Sequence, residues 1–119
     1  MRAEVIGSRA FATGTTLTES FSVDIVKDFA FSNIVEALTA TNVQVILQES
    51  PSRDTVADGA AMWLDLVTLG VQAAVGGVKL TNATPCHKRK RVKVIVTGAG
   101  AATIRPVMEG QRMQENDYR

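Results

Sequence analysis

The stretch KRKRVKVIVTGAGAATIRPVMEG, Lys88 to Gly110, decides the fold. It opens on five basic residues in six positions, Lys88, Arg89, Lys90, Arg91 and Lys93, directly behind Cys86 and His87, the single cysteine and histidine of the chain. From Val92 the period is two. Val92, Val94 and Val96 alternate with Lys93, Ile95 and Thr97, the pattern of a strand with one buried face. The segment TGAGAA then supplies two glycines, which predict a tight hairpin. ATIRPVMEG reads as the returning strand, and Pro106, having no N–H to give a ladder, implies an edge position or a bulge.

Working outward, the same period recurs. Phe21, Val23 and Ile25 alternate with Ser22, Asp24 and Val26, and Val43, Val45 and Leu47 alternate with Gln44, Ile46 and Gln48. MWLDLVTL, led by the single tryptophan, Trp63, is a further strand with Leu64 and Leu66 inward and Asp65 outward. LGVQAAVGGVKLTNATP holds one short strand between loops. ESPSRDTVADGAA is a polar excursion. FSNIVEALTATN has a helical phase in Ile34, Val35 and Leu38, but Thr39 and Thr41 weaken it, and it reads as a strand or an extended connection. The chain therefore offers six to eight short strands at sandwich-like spacing, an all-β reading. The expected core is Phe21, Val23, Ile25, Val43, Val45, Leu47, Leu64, Leu66, Val92, Val94 and Val96.

Composition fits one domain. The chain has 119 residues, 45% apolar and 21% charged, enough for one hydrophobic core. The first residues, MRAEVIGSRAFATG, contain no continuous apolar run of the signal-peptide kind. No run approaches the eighteen apolar residues of a membrane helix. One cysteine rules out an internal disulfide and fits a reducing compartment or a fold that needs no bridge. The formal charge of +1 is unevenly spread: residues 1–59 carry four Lys/Arg and eight Asp/Glu, a net of −4, and residues 60–119 carry nine and four, a net of +5.

The basic run has four candidate uses: a nucleic-acid patch, part of a metal site, a targeting signal, or the front end of a strand. Zinc needs about four ligands in spaced pairs, and beyond Cys86 and His87 there is no second cysteine or histidine. Neighbouring residues on a strand point to opposite faces, so His87 is badly placed to act as base for Cys86. TGAGAA lacks the Lys-Ser/Thr of a phosphate loop and precedes a strand. Asn82 heads an Asn-Ala-Thr sequon that Pro85 follows and no secretion signal accompanies. Nucleic-acid modules add stacking aromatics or a recognition helix, and no aromatic lies near residues 86–96. Paired carboxylates remain open to acid/base work, since any two of the twelve acids can meet in space. The basic side chains are expected to face water or a protein partner at the loop entering the strand, where they discourage edge-to-edge pairing.

Read in order, VQVILQESPSRD, MWLDLVTL and KRKRVKVIVTGAGAATIRPVMEG resemble a layout of tailed double-stranded DNA phages. A central strand ends in a Gln-Glu-Ser turn, a Trp-x-Asp-Leu strand follows, then a Lys/Arg-led strand and a closing strand. The pattern, over residues 20–110, is similar to the small jelly-roll-type β-sandwich capsid cement or decoration proteins. Two features depart from it: Val92 stands where an aromatic is often found, and the loop SPSRDTVADGAA is irregular. The resemblance implies a single sandwich domain over residues 20–110, an N-terminal arm at 1–19 and a tail at 111–119. It implies a non-enzymatic virion protein, made in the host cytoplasm, without cofactor, metal, membrane or direct nucleic-acid contact. Such a protein sits on the outer capsid as a homo-oligomer, a trimer, and bridges neighbouring major capsid protein subunits. Lys88, Arg89, Lys90, Arg91 and Lys93 are the candidate partner-binding residues. The alternative is a tail or fibre sandwich that binds carbohydrate or another virion protein; an exposed Trp63 in a concave patch favours it, and a buried Trp63 favours the cement reading.

Overall fold

The computed structural model describes residues 2–4, 6–22, 25–53, 55–81 and 88–112. They form eight strands: β1 (Arg2–Glu4), β2 (Arg9–Leu17), β3 (Phe21–Ser22), β4 (Ile25–Leu38), β5 (Asn42–Ser50), β6 (Leu64–Thr68), β7 (Gly76–Thr81) and β8 (Arg89–Arg112). Every pairing is antiparallel. The chain is all-β, and FSNIVEALTATN lies in a strand, β4, the connection after it and the first residue of β5.

The expected hairpin at TGAGAA is absent. β8 runs through it as one strand of 24 residues. Straight, such a strand would span about 76 Å, yet the molecule is 51 Å in its longest direction. The strand is therefore bent, and the pairing shows how. Its first half, residues 89–97, lies between β5 and the β2–β3 side. Its second half, residues 101–112, lies between β4 and the β1–β2 side. The neighbouring paths bend at the same level: β2 shifts register between Ala12 and Gly14, and β4 gives way to β5 across residues 39–41. From Val96 to Ala101, β8 takes five steps where β2 takes two, from Gly14 to Ala12.

The result is one sheet folded across its strands into a β-sandwich. One half reads β6-β5-β8-β2/β3 and the other β7-β4-β8-β1/β2. Side chains from both halves meet in a single core. Val43, Val45, Leu47, Val92, Val94 and Val96 come from the first, and Phe31, Val35, Ile104 and Met108 from the second.

The crease depends on its small residues. Gly98 and Gly100 have φ of 89° and 124°, values that L side chains rarely adopt. They also lie against backbone and side chains of the adjoining turn. A Cβ on Gly98 would fall 2.8 Å from Thr41 Cβ, and one on Gly100 2.8 Å from the Thr39 carbonyl carbon. Thr39 stitches the bend by accepting from the Ala101 N–H at 2.9 Å and donating to the Ala101 carbonyl at 3.2 Å. Thr13 Oγ1 donates to the Gly98 carbonyl across the crease.

Several expectations change. Residues 9–17 are not an arm outside the core: β2 pairs with β8 along its length, and Phe11 is buried. Edge strands expose most side chains, so RAFATGTTL carries little of the alternation that marks a half-buried strand. Gln111 and Arg112 continue β8 rather than starting a tail. In β6 the inward phase slips. A bulge at Leu66 shifts the pairing between Leu47 and Gln48, which turns Val67 and Leu69 inward. Leu66 packs at the margin of the core, and Leu64 is 47% exposed. Phe21 is likewise at the margin. Pro106 is on a central strand, but opposite an irregularity: β8 advances from Ile104 to Val107 while the facing chain runs from Arg9 back to Glu4. Val23, Asn82, Cys86, His87 and residues 113–119 lie outside the described residues.

Candidate functional site

The basic run enters the sandwich at the end opposite the crease, and strand parity decides where each residue goes. Val92, Val94 and Val96 point inward, so Lys90 does too. On β5 the inward set Val43, Val45 and Leu47 continues to Glu49. The register places Glu49 directly across from Lys90, and both are buried, with Lys90 Nζ 3.4 Å from Glu49 Oε2. A charge pair thus closes the open end of the hydrophobic core. Taking either charge out of water is costly, and only a partner in contact offsets it.

Arg89 and Arg91 point to the other face, which the loop 51–63 covers. Arg89 donates to the carbonyls of Arg53 (2.8 Å) and Val56 (2.7 Å) and to Asp58 Oδ1 (2.7 Å). Asp58 also accepts the Ser20 backbone N–H at 3.0 Å and the Ser20 hydroxyl at 2.6 Å. One guanidinium and one carboxylate therefore tie together the loop, β8 and the chain entering β3. Trp63 joins the clasp: its indole N–H donates to the Asp58 carbonyl at 3.0 Å, and the Arg91 guanidinium sits 4.2 Å from its ring centre. Arg91 Nε donates to Gln48 Oε1 at 2.7 Å, and Gln48 Nε2 to Asp65 Oδ1 at 2.8 Å. Trp63 is half-buried, and the cation over its ring together with its engaged N–H leaves it neither an open stacking platform nor a core residue.

The basic run is thus mostly internal structure. Arg89 and Lys90 are not available to a partner: they are 7% and 0% exposed. Arg91 and Lys93 are half-buried, and Lys88 is exposed. The clasp residues Glu49, Asp58 and Ser20 were not among the sequence candidates. Glu49 had a signal, its inward parity opposite a strand whose inward position is Lys90. Asp58 and Ser20 had none, because the loop's path is set by contacts remote in sequence.

The hydrogen bonds from the Ser20 hydroxyl and from Arg89, with the Ser20 N–H adding to them, lower the Asp58 pKa from 3.8 to about 2. Burial pulls the Arg91 pKa down, with Asp58 opposing. Because Asp58 titrates lower when folded than when unfolded, its contribution is complete above about pH 4 and disappears as pH falls through about 2. Trp63 emission is accordingly expected to hold steady on acidification to pH 4 and to change towards pH 2, and the change should be absent in Asp58→Asn, whose loop is loosened at every pH. A transition centred at pH 4 in the wild type would mean the clasp is not formed.

Among the described residues no group of three or more His, Cys, Asp or Glu is placed to hold a metal ion. Among the described residues the exposed large apolar side chains are Leu17, Met62, Leu64, Val71 and Val75. All five lie along the two free sides of the folded sheet: Leu17 on β2, and the others on or beside β6 and the segment leading to β7. A groove of about 610 Å³ lies beside β2 and β3, lined in part by Ile6, Leu17 and Phe21.

No family model and no curated protein matches the chain. Among solved structures it is similar to a chain of the Bacillus endospore appendages, described as a family of disulfide-linked pili, at 13% identity and a TM-score of 0.44, over 91% of this chain and 83% of that one.

Proposed function

We propose that the protein is a non-catalytic structural component of a tailed-phage virion, a cement or decoration protein. It binds the outer capsid surface as a homo-oligomer and bridges neighbouring major capsid protein subunits. The observation that carries this reading is the placement of exposed apolar side chains. Among the described residues they lie along the sheet edges, where a sandwich meets other proteins, and the sequence pattern from Val43 to Gly110 resembles cement proteins. Cement of this kind acts by mass action: bound only to the assembled shell, it shifts the balance towards assembly.

Purified protein added to capsids that lack it should raise their bursting temperature, with a shift that saturates as sites fill. Decorated and bare shells bursting at the same temperature would sink the reading.

The electrostatic part of docking falls on the exposed end of the basic run. Lys88→Glu should slow attachment at low salt. The difference should shrink above 0.15 M salt, where screening acts over about 8 Å. Equal attachment rates at low salt would remove Lys88 from the interface.

A further inference from the structure

We infer that the two free sides of the folded sheet bind each other between copies of this chain, head to tail, by β-augmentation. This deepens the assembling role proposed above by naming a partner, a second copy, and does not depend on a capsid being the support.

The register supplies the argument. The pairings align residues in rows across the sheet. In the first half the rows run Gln72, Val43, Val96, Gly14, then Thr68, Ile46, Lys93, Leu17, then Leu64, Glu49, Lys90, Phe21. In the second half they run Gly76, Val35, Ile104, Arg9, then Lys79, Ser32, Val107, Glu4. Folding the sheet across its strands keeps left on the left. Both free edges of one side, β6 and β7, therefore face the same way, and β1, β2 and β3 face the other. A second copy displaced along the rows brings its β2–β3 side against the first copy's β6–β7 side. The two edges then run antiparallel, since β2 is antiparallel to β8, β8 to β5, and β5 to β6.

Three features fit that contact. Soluble proteins guard exposed edges with charge, proline or bulges. Here residues 10–18 on one side and 66–78 on the other contain no charged residue, and the rows set these two runs level with each other. At one end of the contact the row brings Lys79 of one copy level with Glu4 of the next, opposite signs. At the other end the row of Leu64 meets the groove beside Leu17 and Phe21, which Arg9, Thr18, Glu19 and Ser20 also line, so Met62 and Leu64, 64% and 47% exposed, come level with those two apolar side chains. Asp65 is turned back over its own sheet by Gln48. The interface is heterologous, so growth continues until a ring closes or a fibre forms.

The test blocks one edge at a time. The Thr18 N–H donates inward to the Val92 carbonyl, and those of Leu69 and Gln72 inward to Val45 and Val43. Alternation from Thr18 and from Leu69 then turns the N–H groups of Thr15 on β2 and Thr68 on β6 outward, and proline at either position removes an outward donor while sparing the protein's own ladder. Light scattering of the wild type at high micromolar concentration should show an oligomer or fibre. Thr15→Pro and Thr68→Pro should each be monomeric when alone, and a mixture of the two should give a one-to-one dimer through the remaining intact edges. Val75→Lys serves as a second block of the β6–β7 side, and thermal melting confirms that each variant is folded. A monomeric wild type, or folded variants that fail to complement on mixing, would overturn the inference. Capsid decoration is read separately: variants that decorate without self-associating would leave the cement reading standing alone, and a self-associating wild type that ignores shells would leave the edge interface standing alone.

Discussion

Lys90→Ala should destabilise the protein by about 3–5 kcal/mol, because it leaves Glu49 as a buried carboxylate without its facing cation. That is a large share of the roughly 5–15 kcal/mol available to a domain. The ammonium is fully buried and the carboxylate nearly so, so water cannot replace the missing charge. The size of the loss measures the damage of breaking the pair, not the net worth of having it. A double variant with apolar side chains of similar volume, Lys90→Met with Glu49→Leu, should therefore recover most of the loss. Urea denaturation reads both. A single variant within about 1 kcal/mol of wild type would mean that water or another group takes over from the lost ammonium.

Gly98→Val should be nearly as damaging, for reasons of backbone and space rather than charge. A φ of 89° costs a β-branched residue about 1–3 kcal/mol. The added Cβ would also meet Thr41 Cβ at 2.8 Å and Thr41 N at 2.9 Å, and forcing atoms into a packed site adds about 1–3 kcal/mol. Gly14→Val separates the two causes. Its φ is 120°, but nothing lies within 4 Å of a Cβ there, so it should show the backbone part alone. Gly59→Ala, with open space and an ordinary φ, should be close to neutral. Equal losses at Gly98 and Gly14 would show that the crease has room to relax.

These two sites mark where the sequence could be read and where it could not. Alternation found Val43, Val45, Leu47, Val92, Val94 and Val96, all buried, because burial of one strand face is a local property with a local period. It did not tell a crease from a hairpin at TGAGAA, since two glycines permit either. The difference lies in pairing with Thr13, Thr39 and Thr41, residues more than 50 positions away. Parity also contained the answer for Lys90 and Glu49. Each continues an inward series, but basic residues beside a loop suggest solvent, and only the pairing of β5 with β8 shows them facing each other. The slip in β6 comes from a bulge at Leu66 that no residue type announces. Strand β2 stayed hidden because an edge strand contributes little to the core beyond Phe11.

The central claim is that the basic run holds the sandwich together and that its charges are largely spent within the chain. Competitive labelling of lysine amines on the folded protein, read peptide by peptide in a mass spectrometer, tests it directly. Lys88, exposed, should label readily, whereas Lys90, with its ammonium buried against Glu49, should stay unlabelled until the protein unfolds. Labelling of Lys90 at the rate of Lys88 in the folded state would contradict the account.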